Sequence, residues 1–314
     1  MTYIGIQSQI WRNNSRSILL MIAFPLVLLG MVYAFLYLNY SYSGAEGMDT
    51  ETVNNSFAKT VPFVLTGVGI WFLIAWMFHT SLIQRATGAK PLERKENKRV
   101  YNLVENLCIQ AGMKTPKINI IEDDSLNAFA SGINEKSYTV SLSRGIIDKL
   151  DDDELEGVIA HELSHIRNRD VRLLIVSIIF VGIFAFIAEM AFRGIRFGTF
   201  SRRGSKNNAP VILIAILISA ICYFIAILLR FGISRSREYM ADAGAADLTR
   251  KPYALASALR KIDHDPYIEA VKSRDVAQLF IDNPSPKEKK FSVSSLFATH
   301  PPIKKRIELL EQFA

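Results

Sequence analysis

His161 and His165 sit one helical turn apart in the stretch Leu-Glu-Gly-Val-Ile-Ala-His-Glu-Leu-Ser-His-Ile, residues 155–166. At that spacing both imidazoles project from one face of an α-helix. Two neutral imidazoles so placed suit a tetrahedral Zn²⁺, and Glu162 between them can hold a water and take its proton. The chemistry this arrangement serves is metal-assisted hydrolysis. A helix is expected here on local grounds as well. Asp151 is placed as N-cap with Glu154 three positions on, a capping box followed by good helix formers. The bland alternative, a helix with two surface histidines, loses weight because the chain has only five His in 314 residues.

A catalytic zinc needs a third protein ligand and one position left for water. Glu238 is the choice, with Asp242 four residues on and so on the same helical face. Glu238 would bind the metal, while Asp242 would accept the free N–H of a ligand histidine and set its tautomer. From His165 to Leu173 and from Leu229 to Glu238, where two apolar runs begin and end, the separations are roughly 12 and 13.5 Å of helix. Two antiparallel helices leaving a membrane would bring the two segments to one height. Asp170 and Asp247 lack this matched placement, and His79 and His264 are not expected to be ligands. Amide hydrolysis also needs a donor for the developing oxyanion besides the metal, and His300 or Tyr239 could supply it. Asn127-Ala128-Phe129-Ala130 reads as an exposed edge strand on which an extended peptide could pair by backbone hydrogen bonds.

Around these residues the chain is strongly apolar, with 50% hydrophobic content and a mean hydropathy of +0.18. The excess lies in four runs, Ser17–Leu38, Val61–Ile83, Leu173–Phe192 and Val211–Leu229, each near or above the roughly 20 residues that cross a bilayer as a helix. Three of them lack Asp, Glu, Lys and Arg, and the third holds only Glu189. A soluble core helix would carry a polar stripe over such lengths. The first run, with Pro25 and Gly30, is too long for a cleaved signal and reads as an anchor. Cys108 and Cys222 are too differently placed to pair. The net charge of +7 gathers beside the apolar runs, where it suits lipid headgroups and calls for no nucleic acid.

Charge asymmetry orients the chain. Arg12 and Arg16 precede the first run, the loop 39–60 is acidic (Glu46, Asp49, Glu51), and Arg85, Lys90, Arg94, Lys95, Lys98 and Arg99 follow the second. The zinc helix is therefore expected on the cytoplasmic side. The loop between the third and fourth runs is basic, which leaves the crossing of that hairpin open. Val100–Met113 is helical in pattern, Lys117–Glu122 is strand-like, and 127–132 with 137–143 form a hairpin. A short helix 144–150, an alanine-rich helix running through about Lys261, a Pro-rich connection 263–290 and a last helix Ile303–Phe313 complete the expected layout. The fold class is an α-helical membrane protein with four hydrophobic helices and an inserted α+β, zincin-like domain whose small sheet has an edge strand. Its parts are a membrane hairpin 1–90, a protease half 91–172, a second hairpin 173–229 and a second half 230–314.

These features together resemble the HtpX family of membrane-bound zinc peptidases, related to the CAAX prenyl endoproteases. The resemblance rests on Asn127-Ala-Phe-Ala, Asp153-Glu-Leu-Glu ahead of His161-Glu-Leu-Ser-His165, Ser236-Arg-Glu-Tyr-Met-Ala-Asp242 and Thr299-His-Pro-Pro-Ile-Lys-Lys-Arg-Ile307, among two pairs of hydrophobic segments. It implies one Zn²⁺ on His161, His165 and Glu238, a gluzincin-like set, with Glu162 as base and Asn127 on the substrate strand. His300 is implied as a transition-state donor and Arg306 as part of a polar network near Asp242. It further implies a bacterial inner-membrane enzyme that degrades misfolded membrane proteins from the cytoplasmic side. Two alternatives stand beside it: a CAAX-type prenyl-protein protease, and a scaffold or holdase braced by zinc. A bracing site would close with four protein ligands, and three are credible here.

Overall fold

The computed structural model describes residues 6–42, 50–196, 235–263 and 301–313, with single positions 216 and 220. Among these lie helices α1 (Ile6–Tyr42), α2 (Thr50–Thr87), α3 (Lys98–Ala111), α4 (Arg144–Lys149), α5 (Asp152–Arg167), α6 (Asp170–Arg196), α7 (Arg235–Thr249), α8 (Pro252–Ile262) and α9 (Ile303–Glu311). The strands are β1 (Lys90–Pro91), β2 (Lys117–Ile121), β3 (Ala128–Ser131) and β4 (Thr139–Ser143). The chain divides into two compact units. One comprises Met1–Arg16, Phe78–Ile175 and Phe231–Ala314, the other Ser17–Met77 and Val176–Arg230.

The described residues of the second unit are chiefly helical. Phe24 and Leu28 of α1 meet Val176, Phe180, Ile183 and Phe184 of α6, with Trp71 and Phe72 of α2 against them. The Phe24 and Phe180 rings stack at 4.1 Å. By length and composition two helices could cross a membrane, at Ile10–Ser41 and Thr50–Thr87, with mean hydropathies of 2.6 and 2.0. Leu19, Phe63 and Met77 are mostly exposed, so protein does not cover them as it covers a core helix. Of the four hydrophobic helices expected, these two carry the first and second runs. The third run lies inside α6, and the fourth, 211–229, lies outside the described residues save for 216 and 220. The expected acidic loop 39–60 is shorter than predicted, because α1 extends to Tyr42 and α2 begins at Thr50. Glu51 sits in the first turn of α2, where a carboxylate complements the helix dipole.

In the first unit the sheet order is β1-β2-β4-β3. β2 and β4 run parallel, while β3 pairs with β4 and β1 with β2 antiparallel. The 127–132 and 137–143 segments form the β3–β4 hairpin with shorter strands. β1 had no alternating pattern to announce it. β3 is one of the two edge strands, and α5 packs on it with α3, α7 and α8 also against α5. The helix starts at the capping box: Glu154 N–H donates to Asp151 at 2.9 Å, and Asp151 N–H to the Glu154 carboxylate at 3.1 Å. Two glycines permit the close helix contacts. A Cβ on Gly157 would lie 3.1 Å from the Leu255 backbone nitrogen, and one on Gly244 only 2.8 Å from Ser164 Oγ. The single alanine-rich helix predicted through Lys261 is two helices. The chain turns at Arg250, whose φ is +57°, and Pro252 starts α8, since the residue before a proline leaves the helical region.

Candidate metal centre

The buried length of α5 presents His161 and His165 to α7. Their Nε2 atoms lie 3.2 Å apart. Glu238, near the start of α7, places its carboxylate oxygens 3.7 Å from His161 Nε2 and 3.6 Å from His165 Nε2. Ligands held roughly 2.0–2.2 Å from a tetrahedral ion are themselves about 3.3–3.6 Å apart. The triangle of donors therefore fits a Zn²⁺-sized ion, and its mix of two imidazoles and one carboxylate is a set zinc accepts. Among the described residues these three form the group of His, Cys, Asp or Glu spaced for a metal.

Each ring nitrogen facing away has a carboxylate partner. His161 Nδ1 lies 2.9 Å from Asp242 Oδ1, and Arg306 of α9 binds Asp242 at both oxygens, at 2.9 and 2.7 Å. His165 Nδ1 lies 3.1 Å from Asp170 Oδ2. With Nδ1 protonated, each histidine turns the lone pair of Nε2 toward the shared point. Burial works against a charge on His161, yet hydrogen bonds to Asp242 and Glu238 outweigh it and raise its pKa to about 9. A proton and a metal ion thus compete for the same electron pair. Burial pushes the Asp242 carboxyl up, but the Arg306 guanidinium more than offsets this and holds it below its usual value. Glu162 is raised, chiefly by burial and further by the Glu238 charge, against the opposing pull of both histidines and the Ala130 N–H.

Residues 94–314 match the model of peptidase family M48. A protease HtpX homolog of Bacteroides fragilis is 56% identical over 322 aligned residues, covering 100% of both chains. This chain belongs to peptidase family M48 and is of the HtpX type. A second HtpX homolog, from Dictyoglomus turgidum, is 41% identical over 78% of this chain and 81% of its own. The crystal structure of S. mikatae Ste24p aligns over 96% of the HtpX-type chain and 66% of that one, with a TM-score of 0.47 and 19% identity. The HtpX-type chain is accordingly a protease, of a family of metalloproteases.

Around this candidate site the other singled-out residues divide. Arg306 is fully buried beside Asp242. Tyr239 is half-buried next to Glu238 on α7, and His300 lies outside the described residues, as does His264. Asn127, Ala128, Phe129 and Ala130 are all buried, so the Phe129 ring is core and offers no side-chain contact to a ligand. What β3 offers is backbone. Ser143 N–H donates to Asn127 O, and antiparallel alternation then turns the Ala128 and Ala130 backbone groups away from β4. The Ala130 N–H accordingly reaches the Glu162 carboxylate, and the Asn127 side chain accepts from Ala128 N–H at 3.0 Å.

Asp170, set aside as a metal ligand, stands outside the donor group, but its contact with His165 Nδ1 was not foreseen. In an unbroken helix a residue five positions after His165 would point about 140° away from it. The chain instead turns at Asn168 and Arg169, the latter with φ +60°, and α6 begins anew at Asp170. Only the sequence Asn-Arg-Asp after the second histidine hinted at that turn.

Proposed function

We propose that this protease is a zinc endopeptidase of the bacterial inner membrane that cleaves misfolded or damaged membrane proteins from the cytoplasmic side. The observation that carries the reading is the donor triangle of His161, His165 and Glu238 with the Glu162 carboxylate close by, accepting from the Ala130 N–H of β3. A Zn²⁺ held by the three donors supplies Lewis acidity to a scissile carbonyl and lowers the pKa of water. Glu162 takes the proton of the attacking water and delivers it to the leaving amine; its dry surroundings raise its proton affinity for that task. Asp242, fixed by Arg306, sets the tautomer of His161. An extended substrate pairs with the outward backbone carbonyls of Ala128 and Ala130, with Asn127 at the entrance of the strand. Tyr239 or His300 donates to the developing oxyanion.

In this reading residues 1–90 and 173–229 are hairpins in the lipid, and 91–172 with 230–314 are two halves of one protease domain. The apolar, uncovered surfaces of α1 and α2 and the basic residues beyond them support the bilayer placement and its orientation. The test uses the full chain in detergent, measuring zinc content and casein cleavage together. Glu162→Gln is expected to keep its zinc and its circular dichroism while cleavage falls by roughly 10²–10⁴-fold. Glu238→Ala is expected to lose both zinc and cleavage. Undiminished cleavage by Glu162→Gln rejects the assignment, and zinc bound without any wild-type cleavage favours a bracing role.

A further inference from the structure

The mechanism leaves unexplained a cluster of buried polar groups at the junction of α5 and α6. Asn13 of α1 is fully buried, in a helix whose remaining length is mostly apolar. Its Nδ2 donates to Asp170 Oδ1 at 2.7 Å and to the Asn168 carbonyl at 2.7 Å. The next residue, Asn14, accepts from the Arg169 guanidinium at 3.1 Å. From α7, Arg237 donates to the Asp170 carbonyl at 3.2 Å. The clasp therefore closes on three successive residues, 168–170, at whose centre Arg169 holds the left-handed backbone conformation that a side-chain-bearing residue adopts at a cost. The other Asp170 oxygen faces His165 Nδ1 at 3.1 Å.

We infer that the root of the first apolar helix is a working part of the metal site, with Asn13 positioning Asp170 and Asp170 positioning His165. This rests on the zinc reading above. The chain of contacts is directional: both Nδ2 hydrogens of Asn13 are committed, one to the carboxylate and one to the turn that carries it. The carboxylate can then rotate little, and the imidazole keeps the tautomer that exposes Nε2. Asp170 belongs to the stretch 94–314 that matches the family, whereas Asn13 lies outside it. The protease domain thus borrows a residue from the membrane helix that enters it, and the geometry of one metal ligand depends on that helix being docked.

The experiment compares wild type, Asn13→Ala, Asn13→Ser, Asp170→Ala and the Asn13→Ala/Asp170→Ala double variant as full chains in detergent. Zinc affinity is read by chelator competition and ligand geometry by the visible spectrum of the Co²⁺ form, well below each variant's metal-free Tm. Loss of an outer partner of a ligand histidine weakens metal binding by about 10–100-fold. That loss is expected for Asp170→Ala, with a shifted Co²⁺ spectrum. About tenfold is expected for Asn13→Ala, less for Asn13→Ser, and no further loss in the double variant than in Asp170→Ala alone, because both act through one imidazole. Wild-type zinc affinity and an unchanged Co²⁺ spectrum in folded Asn13→Ala, with only Tm lowered, would overturn the inference. If Asn13→Ala does not fold, Asn13→Ser is judged by the same criterion. A wild type that binds no zinc removes the metallopeptidase reading itself, a result distinct from variants that match a zinc-binding wild type.

Discussion

Two regions beside α5, its first turns and the surroundings of His161, use the same kinds of charged pair in opposite settings. At its first turns Lys251 bridges Asp153 at 2.7 Å and Glu156 at 3.1 Å, with 36% of the lysine side chain and 49% of Asp153 exposed. Two turns on, Arg306 holds Asp242 at 2.7 Å with the arginine side chain 1% exposed. In the same first turn as Asp153, Glu154, nearly buried, accepts from Ser257 at 2.7 Å and from Lys261 at 2.5 Å. Water screens the outer pair, so its attraction is weak and breaking it exposes nothing. In the dry region the full attraction acts, and removing one partner strands a charge that water cannot reach. Stability is spread over the first region, whereas the second concentrates charge where a metal and a reacting bond could use it.

The largest effect expected from this contrast is that of Arg306→Leu. Leaving Asp242 buried without its guanidinium, and with His161 Nδ1 as its remaining partner, costs about 3–5 kcal/mol, roughly 10 °C in the metal-free Tm. Arg306→Lys should recover part of it, since a lysine restores charge but not the two-point fork. A loss near that of a surface pair would break the comparison.

Glu154→Gln comes next, at about 2 kcal/mol by denaturant titration at neutral pH. Burial pushes the Glu154 carboxyl up, but hydrogen bonds from Lys261, Ser257 and the Asp151 N–H outweigh it and leave it lowered. Because the folded value lies below the unfolded one, near 4.3 for a free Glu, the wild-type advantage is complete above about pH 5. It shrinks as pH falls through the folded pKa. An advantage that grew on acidification would show that the pairing had been misread.

The smallest effect belongs to Lys251→Ala. Its loss should stay under about 1 kcal/mol and fade near 1 M salt, with no change in cleavage rate. A larger, salt-insensitive loss would blur the distinction between the two regions.

Much of this could be read without coordinates, because it rests on patterns a few residues long. The His161–Glu162–His165 spacing, the Asp151–Glu154 box and the first two charge-free runs are local, and helical geometry carries them directly into structure. The β3–β4 hairpin was legible for the same reason. The second half of the candidate metal site could only be nominated: Glu238 approaches both rings because Gly157 and Gly244 let α8 and α7 lie close on α5. Arg250, turning the chain between two helices, gave no periodic sign. Tertiary structure alone decided that Asp170 faces His165, that Asn13 closes over it, and that the Ala130 N–H meets Glu162. Periodic reasoning ends where a helix ends, and each of those contacts crosses a turn or joins elements far apart in the chain.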